Sequence, residues 1–185
     1  LVGSEMCIRD RPKRASMRVN QIWSWVYCHG VSSFDQMTNI DKNLRSNLQK
    51  FYNISRPTIE KKEVSNDGTT KYLFCLEDQP TRETVFIPEE KRSTLCISSQ
   101  VGCTLNCSFC HTGTQKLVRN LSSQEIVGQV IAVYDDLDLW KKMRGEGGQS
   151  SYFGIITNIV FMGMGEPLLN YEEVKKACGI LMDNK

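Results

Sequence analysis

Residues 103–110 read Cys-Thr-Leu-Asn-Cys-Ser-Phe-Cys, which spaces three thiols, Cys103, Cys107 and Cys110, as C-x3-C-x2-C. Thiols this close on one short loop can converge, as thiolates, on a single metal centre. Three are one too few for a site closed by four cysteines. A cubane iron–sulfur cluster held by three cysteines keeps one iron open to a small molecule, and that open iron is the chemistry the spacing offers. Two other metal sites compete. Zinc could take His111 as a fourth ligand, but such sites are usually built from two separated ligand pairs, and adjacent Cys110 and His111 are hard to aim at one ion. Cys107-Ser-Phe-Cys110-His111 also matches the C-x-x-C-H of c-type haem attachment, a short motif that leaves Cys103 without a use and requires export. Incidental buried thiols are the bland alternative, and three in eight residues weigh against it.

The flanking sequence says what must hold this loop. Thr94–Ser98 reads as a strand, with the cysteines following its C-terminal end. Ser122-x-x-Glu125 is a capping box. It opens a helix whose apolar stripe is Ile126, Val127, Val130, Ile131, Tyr134 and Leu137. Lys141–Ser151 is polar and glycine-rich, a flexible loop. Thr157–Met162 is a second strand, rich in β-branched residues, ending at Gly163-Met-Gly-Glu-Pro167. Asn170 then caps a helix with Val174, Ala177, Cys178 and Leu181 on one face. Strand–helix–strand–helix order predicts parallel β/α units, which carry reactive residues on the loops after their strands. Both unusual loops, 103–110 and 163–167, fall there. Taken alone, Gly-Met-Gly-Glu-Pro would pass as a plain strand-ending turn.

Upstream, Val19, Ile22, Trp23, Val26 and Tyr27 recur with helical period from Met17, and Gly30 supplies the stop. A second helix is expected from Asp41 as N-cap, with Leu44, Leu48 and Phe51 inside and Pro57 ending it. Trp23, Trp25 and His29 could face a nucleic acid, but aromatics at this spacing are more often core. Ile59–Val64, Asn66-Asp-Gly68 and Thr70–Leu76 read as a β-hairpin, because Asp-Gly tolerates the positive φ of a tight turn. Glu83–Pro88 is a further strand, and 88–93 a polar connection. Residues 1–11 show no period and are set aside as a leader of non-native character. The expected organisation is a leader over 1–16, a helical domain over 17–56, a β-rich segment over 57–92 and an α/β domain over 93–185.

Composition bounds the partners. With 40% hydrophobic and 24% charged residues, the chain is ordinary for a globular protein, and no uncharged apolar run is long enough to span a bilayer. Eight cysteines with no signal peptide predict a reducing, cytoplasmic setting, with thiols used for metal or catalysis rather than disulfides. Residues 1–62 hold 11 Lys/Arg against 5 Asp/Glu, and residues 63–185 hold 12 against 16. The basic N-terminal part suits a polyanion such as RNA, although an ordinary solvated surface would look the same.

C-x3-C-x2-C with an aromatic, Phe109, before the last cysteine resembles the radical S-adenosylmethionine (radical SAM) signature. The wider runs Thr94-Leu-Cys-Ile-Ser-Ser-Gln-Val-Gly-Cys103, His111-Thr-Gly-Thr-Gln115, Arg119-Asn-Leu121 and Met162-Gly-Met-Gly-Glu-Pro-Leu-Leu-Asn170 are similar to the family of dual-specificity RNA methyltransferases that methylate C2 of adenine in 23S rRNA and tRNA. The resemblance spans residues 17–185. It implies the start of a partial (β/α)6 barrel behind a small helical accessory domain. It implies that Cys103, Cys107 and Cys110 hold a [4Fe–4S] cluster, and that S-adenosylmethionine chelates the open iron and yields a 5′-deoxyadenosyl radical. Phe109, Gly165 and Glu166 are then cofactor-binding positions, with Glu166 accepting from the cofactor's ammonium. Cys96 matches the cysteine that resolves the protein–RNA adduct, and Glu83 the acidic proton acceptor. The methyl-accepting cysteine of the family is expected beyond residue 185, since Cys178 does not match its context, so the chain reads as an N-terminal fragment incapable of turnover alone. Partners implied are 23S rRNA, tRNA and an electron donor of flavodoxin type, with no membrane. Two alternatives stay open: a radical SAM enzyme with another substrate, and a non-enzymatic metal-binding module that recognises RNA.

Overall fold

The computed structural model describes residues 12–75, 81–105, 107–144 and 156–183. The chain divides after Ser55 into two units.

The first unit is helical. Helix α1 (Pro12–Tyr27) begins five positions before Met17, inside the segment expected to be a leader, while residues 1–11 lie outside the described residues. Helix α2 (Lys42–Phe51) starts as expected: the Asp41 carboxylate accepts from the Asn43 and Leu44 amides at 3.0 and 3.2 Å. It ends at Phe51, well short of Pro57, because Tyr52 takes an extended conformation. The core lies elsewhere than the helical stripes predict. It is formed by Val31, Phe34, Met37 and Ile40, all from the segment between the helices, with Ile22, Trp25, Val26, Leu44, Leu48, Tyr52 and Ile54 packed against them. Those four residues recur every third position, and a single 3-10 turn at Phe34–Gln36, boxed by Ser33 and Gln36, turns them inward. Val19 and Phe51, expected inside, are exposed at 55% and 75%.

The second unit is a mixed sheet covered on one face by helices. Strands β1 (Thr58–Val64), β2 (Thr70–Cys75), β3 (Thr81–Pro88) and β4 (Ser93–Cys96) run antiparallel in sequence order. The hairpin turn closes at Asp67-Gly68, with Thr69 N donating to Asp67 Oδ1 at 3.0 Å. The short strands β5 (Gln100–Val101) and β6 (Arg119–Asn120) pair with each other. Strand β7 (Asn158–Val160) then adds to β4 in parallel, completing the order β1-β2-β3-β4-β7. The hairpin and the β/α part therefore share one sheet. Between β4 and β7 lies helix α3 (Ser123–Asp136), opened by the Ser122/Glu125 capping box, so the parallel crossover read from the sequence is present. The expected loop 141–151 begins inside a short helix, α4 (Leu139–Met143), and 145–155 lie outside the described residues. Helix α5 (Tyr171–Leu181) packs against α3.

Alternation along the strands sorts the two faces of this sheet. Tyr72, Phe74, Phe86, Leu95 and Ile97 are buried on one face, each worth about 1.5–3 kcal/mol of burial. Helix α3 lies on that face. Thr84 Oγ1 donates to Gln129 Oε1 at 2.8 Å, and Tyr72 Oη donates to Asp136 Oδ2 at 2.8 Å. Buried on nearly every side, α3 is apolar beyond a single stripe: Ile126, Val127, Val130, Ile131, Ala132 and Val133 are all interior. The other face carries Lys71, Leu73, Glu83, Val85, Cys96 and Val160, exposed or half-exposed.

Candidate cofactor site

The backbone after β4 leaves the regular ladder and is held by irregular backbone bonds together with side chains. Ile97 N donates to Val160 O at 2.9 Å, Gly163 N to Ile97 O at 3.1 Å, and Ser99 N to Met164 O at 3.0 Å. Residues 163–166 therefore run beside 97–100, and the two unusual loops leave the sheet side by side. Three buried amides complete the pairing. Gln129, fully buried on α3, accepts from Ser98 N and donates to Ser98 O, both at 2.9 Å. Asn170 Nδ2 donates to Ser99 O at 2.8 Å and Leu121 O at 2.7 Å. Gln100 bridges to Asn120 and to the Glu166 amide. Asn170 stands at the N-cap position of α5 as expected, but its side chain makes no capping bond there and ties three segments together instead. These amides were not legible as site residues. The signal available was a polar residue inside an apolar helix stripe, as at Gln129.

The cysteines sit on a loop closed at its neck. The β5–β6 ladder pairs Gln100 with Asn120 and Val101 with Arg119, and Val118 N donates to Val101 O at 2.8 Å. Gly102 takes φ +76° at this neck, where only glycine is unstrained. Arg119 then grips Glu125 through two nitrogens at 2.9 and 2.7 Å, anchoring the loop's exit to the start of α3. Burial alone would raise the Glu125 carboxyl, but Arg119 and Ser122 prevail and hold it below the usual range. Within the loop, Cys110 N donates to Cys107 O at 3.1 Å, and Leu105 N donates to Cys103 Sγ at 3.4 Å. None of the seven cysteines among the described residues is in a disulfide, and Cys103, Cys107 and Cys110 are each half-buried. An open pocket of about 400 Å³ lies against Cys103, walled by Gly113–Leu117. Among the described residues, no three His, Cys, Asp or Glu side chains meet closely enough to hold a metal ion. What fits an iron–sulfur cluster is the donor set: three reduced thiols on one tethered loop, beside room for a ligand. His111 is exposed in a 3-10 turn directly after Cys110.

The remaining sequence-predicted residues separate clearly. Cys96 pairs with Val85 across β3–β4, and Glu83 lies two residues further along β3. Side chains two apart share a face, so Glu83 and Cys96 are diagonal neighbours on the face that α3 leaves uncovered. Burial pushes the Cys96 thiol up, while a hydrogen bond with the Met162 backbone opposes the shift, which places Cys96 against the entry to Gly163–Glu166. Glu83 pairs with Lys71 Nζ at 2.7 Å, and its backbone oxygen accepts from Ser98 Oγ at 2.6 Å. Glu166 Oε1 accepts from Leu168 N at 3.2 Å, capping the 3-10 turn Pro167–Asn170. Phe109 is 92% exposed beside the last thiol. Gly163 and Gly165 have a reason internal to the fold: a Cβ at Gly163 would lie 2.8 Å from the Ile97 carbonyl, and one at Gly165 2.7 Å from Gln100 Cγ.

Comparison with known proteins finds relatives over nearly the whole chain. The family model described as the ribosomal RNA large subunit methyltransferase N-terminal domain matches residues 13–54. The dual-specificity RNA methyltransferase RlmN of Paracoccus denitrificans (strain Pd 1222) is 52% identical over 173 residues, covering 94% of this chain and 44% of the relative. RlmN of Ruegeria pomeroyi is 53% identical over 171 residues, covering 92% and 43%. The crystal structure of a radical SAM methyltransferase from Sphaerobacter thermophilus superposes with a TM-score of 0.74 at 37% identity, over 91% of this chain and 46% of that one. The chain spans less than half the length of the curated relatives it matches.

Proposed function

The chain belongs to the RlmN family of dual-specificity RNA methyltransferases, and on that premise we propose that it carries the cluster-binding part of a radical SAM enzyme that methylates C2 of adenine in 23S rRNA and tRNA. The observation that carries the reading is the adjacency of two loops. The tethered cysteine loop and the Gly163–Glu166 turn leave the same end of the parallel pair β4/β7. In β/α architecture that end is where reactive groups collect. The β4–α3–β7–α5 run is then the opening of a partial (β/α)6 barrel, and the first unit its helical accessory domain.

Cys103, Cys107 and Cys110 would hold a [4Fe–4S] cluster, and Gly165 and Glu166 the amino-acid end of S-adenosylmethionine. When bound, the pair supplies one-electron cleavage of the sulfonium, the chemistry needed to functionalise an electron-poor adenine carbon. This chain's own residues do the rest. Glu166 presents a carboxylate to an ammonium. Phe109, standing free beside Cys110, covers the bound group from water. Cys96 would be the thiol that releases the methylated base: its sulfur bonds to the sulfur that carries the base, that sulfur's bond to the methylene carbon breaks, and the thiol's proton completes the methyl group. Glu83 takes the proton lost from the adenine ring, with Lys71 holding it in place on the uncovered face. An unpaired or flipped adenine can approach that face. The flavodoxin-type donor and the RNA contacts belong to the whole protein.

The test is metal analysis after anaerobic reconstitution. About four iron and four acid-labile sulfide per chain are expected, falling to background in Cys107→Ala. Zinc without sulfide would instead make the chain a metal-binding module. A folded chain that takes up no iron would show that these three thiols do not suffice.

A further inference from the structure

Gln100 is 1% exposed, and its carboxamide faces both loops at once. Nε2 donates to Asn120 Oδ1 at 2.7 Å across the neck of the cysteine loop. Oε1 accepts from Glu166 N at 2.9 Å, an arrangement that defines the amide's orientation, since only an oxygen can face that N–H. Its stem occupies the space a side chain at Gly165 would need: a Cβ there would lie 2.7 Å from Gln100 Cγ and 2.8 Å from Oε1. Gly165 itself sits at φ +93°, a conformation that favours glycine. None of these contacts involves Cys103, Cys107, Cys110 or Glu166's carboxylate.

Resting on the cluster reading above, we propose that Gln100 is a positioning residue. It sets the separation between the thiol loop and the Gly163–Glu166 turn, and so decides whether one S-adenosylmethionine can reach both. A buried amide bonded to two segments resists their moving apart, because each broken bond would strand a desolvated group. Cluster assembly needs only the thiols. Binding of the second ligand needs both loops at the correct spacing. The two steps should therefore separate when Gln100 is changed.

The chain is reconstituted anaerobically, and iron, sulfide, S-adenosylmethionine affinity and the electron paramagnetic resonance of the reduced cluster are measured. Gln100→Met keeps the stem against Gly165 and removes both hydrogen bonds. It should keep the wild-type iron and sulfide but bind S-adenosylmethionine about tenfold more weakly, the scale of two lost hydrogen bonds of modest net worth. The spectral change on adding S-adenosylmethionine should shrink with it. Asn120→Ala removes the neck contact, together with the bond that Asn120 Nδ2 donates to Leu169 O at 3.3 Å, but leaves the Gln100–Glu166 bond in place, and should fall between; it carries the test if Gln100→Met does not fold. Wild-type affinity and spectra in the folded variants would overturn the proposal. So would loss of iron together with affinity, which would make Gln100 a support of the cysteine loop alone. A wild type that holds the cluster without responding to S-adenosylmethionine overturns the coupling; one that holds no cluster overturns the cluster reading beneath it.

Discussion

Gly102 approaches Lys116 so closely that a Cβ at position 102 would overlap the Lys116 carbonyl oxygen and lie 2.8 Å from its carbon. Two strands of the cysteine loop are therefore pressed together at the neck, and the thiols hang beyond it. Gly102→Ala would meet backbone, which cannot rotate away, and would also occupy φ +76° at a cost of about 1–3 kcal/mol. The expected result is a lowered urea midpoint and loss of iron uptake on reconstitution. Gly179, in α5, is the control, because a Cβ added there would meet nothing within 4 Å. Gly179→Ala should be stabilising by up to about 1 kcal/mol, with iron uptake unchanged.

Gln129, buried on α3, holds the backbone at Ser98 that leads from β4 to the cysteines. Replacing it with Leu would leave Ser98 N–H, Ser98 C=O and the Thr84 hydroxyl without their partner. At about 1–3 kcal/mol for each stranded group, partly relieved by rearrangement, a loss of roughly 3 kcal/mol is expected in equilibrium unfolding. A loss below about 0.5 kcal/mol would show that the strand is held by its backbone bonds alone.

Acid should loosen the start of α3. Burial would raise the Glu125 carboxyl, but Arg119 and Ser122 hold it below its ordinary value. Glu173 is held down to about 2 by Lys176 and by the Ser123 amide, which donates to it at 2.7 Å. A carboxylate whose folded pKa is depressed contributes stability above the unfolded value, near 4.5 here, and loses it as pH falls through the folded value. Unfolding free energy should thus drop as pH is lowered from about 5 toward about 2. Glu125→Gln should flatten part of that slope, and Glu173→Gln the most acidic part. A slope unchanged in both variants would place the acid sensitivity elsewhere.

Glu83 and Lys71 form an ion pair with both side chains 45% exposed. Pairs this exposed are worth about 0–1 kcal/mol, so Glu83→Gln should barely move the unfolding midpoint. A catalytic role predicts the opposite for turnover: the same change in the full-length enzyme should collapse methyl transfer to RNA while fold and iron content persist. Equal loss of stability and activity would make Glu83 a structural residue.

Much of this protein could be read from local spacing. The Ser122/Glu125 box, the Asp41 cap and the Asp67-Gly68 hairpin all appear in the structure at the positions their sequence patterns mark. Each is decided by neighbours within a few residues, where backbone geometry leaves few choices. The helical stripe of α1 misled at Val19, because the first unit's core comes from residues 31–40 of an irregular segment whose three-residue spacing belongs to no long helix.

Which distant groups share a surface is a matter of packing. Glu83 and Cys96 are 13 positions apart in the chain, and nothing in their own surroundings says that they face the same side. The β3–β4 register settles that, and it depends on α3 burying the alternate residues. The same holds for Gln100, Gln129 and Asn170, whose partners lie 20 to 71 residues away. A buried amide is specified by the polar backbone that packing leaves unpaired, and that is known only once the chain has folded. Local spacing set which residues share each loop; packing determined where the two loops stand and what holds them there.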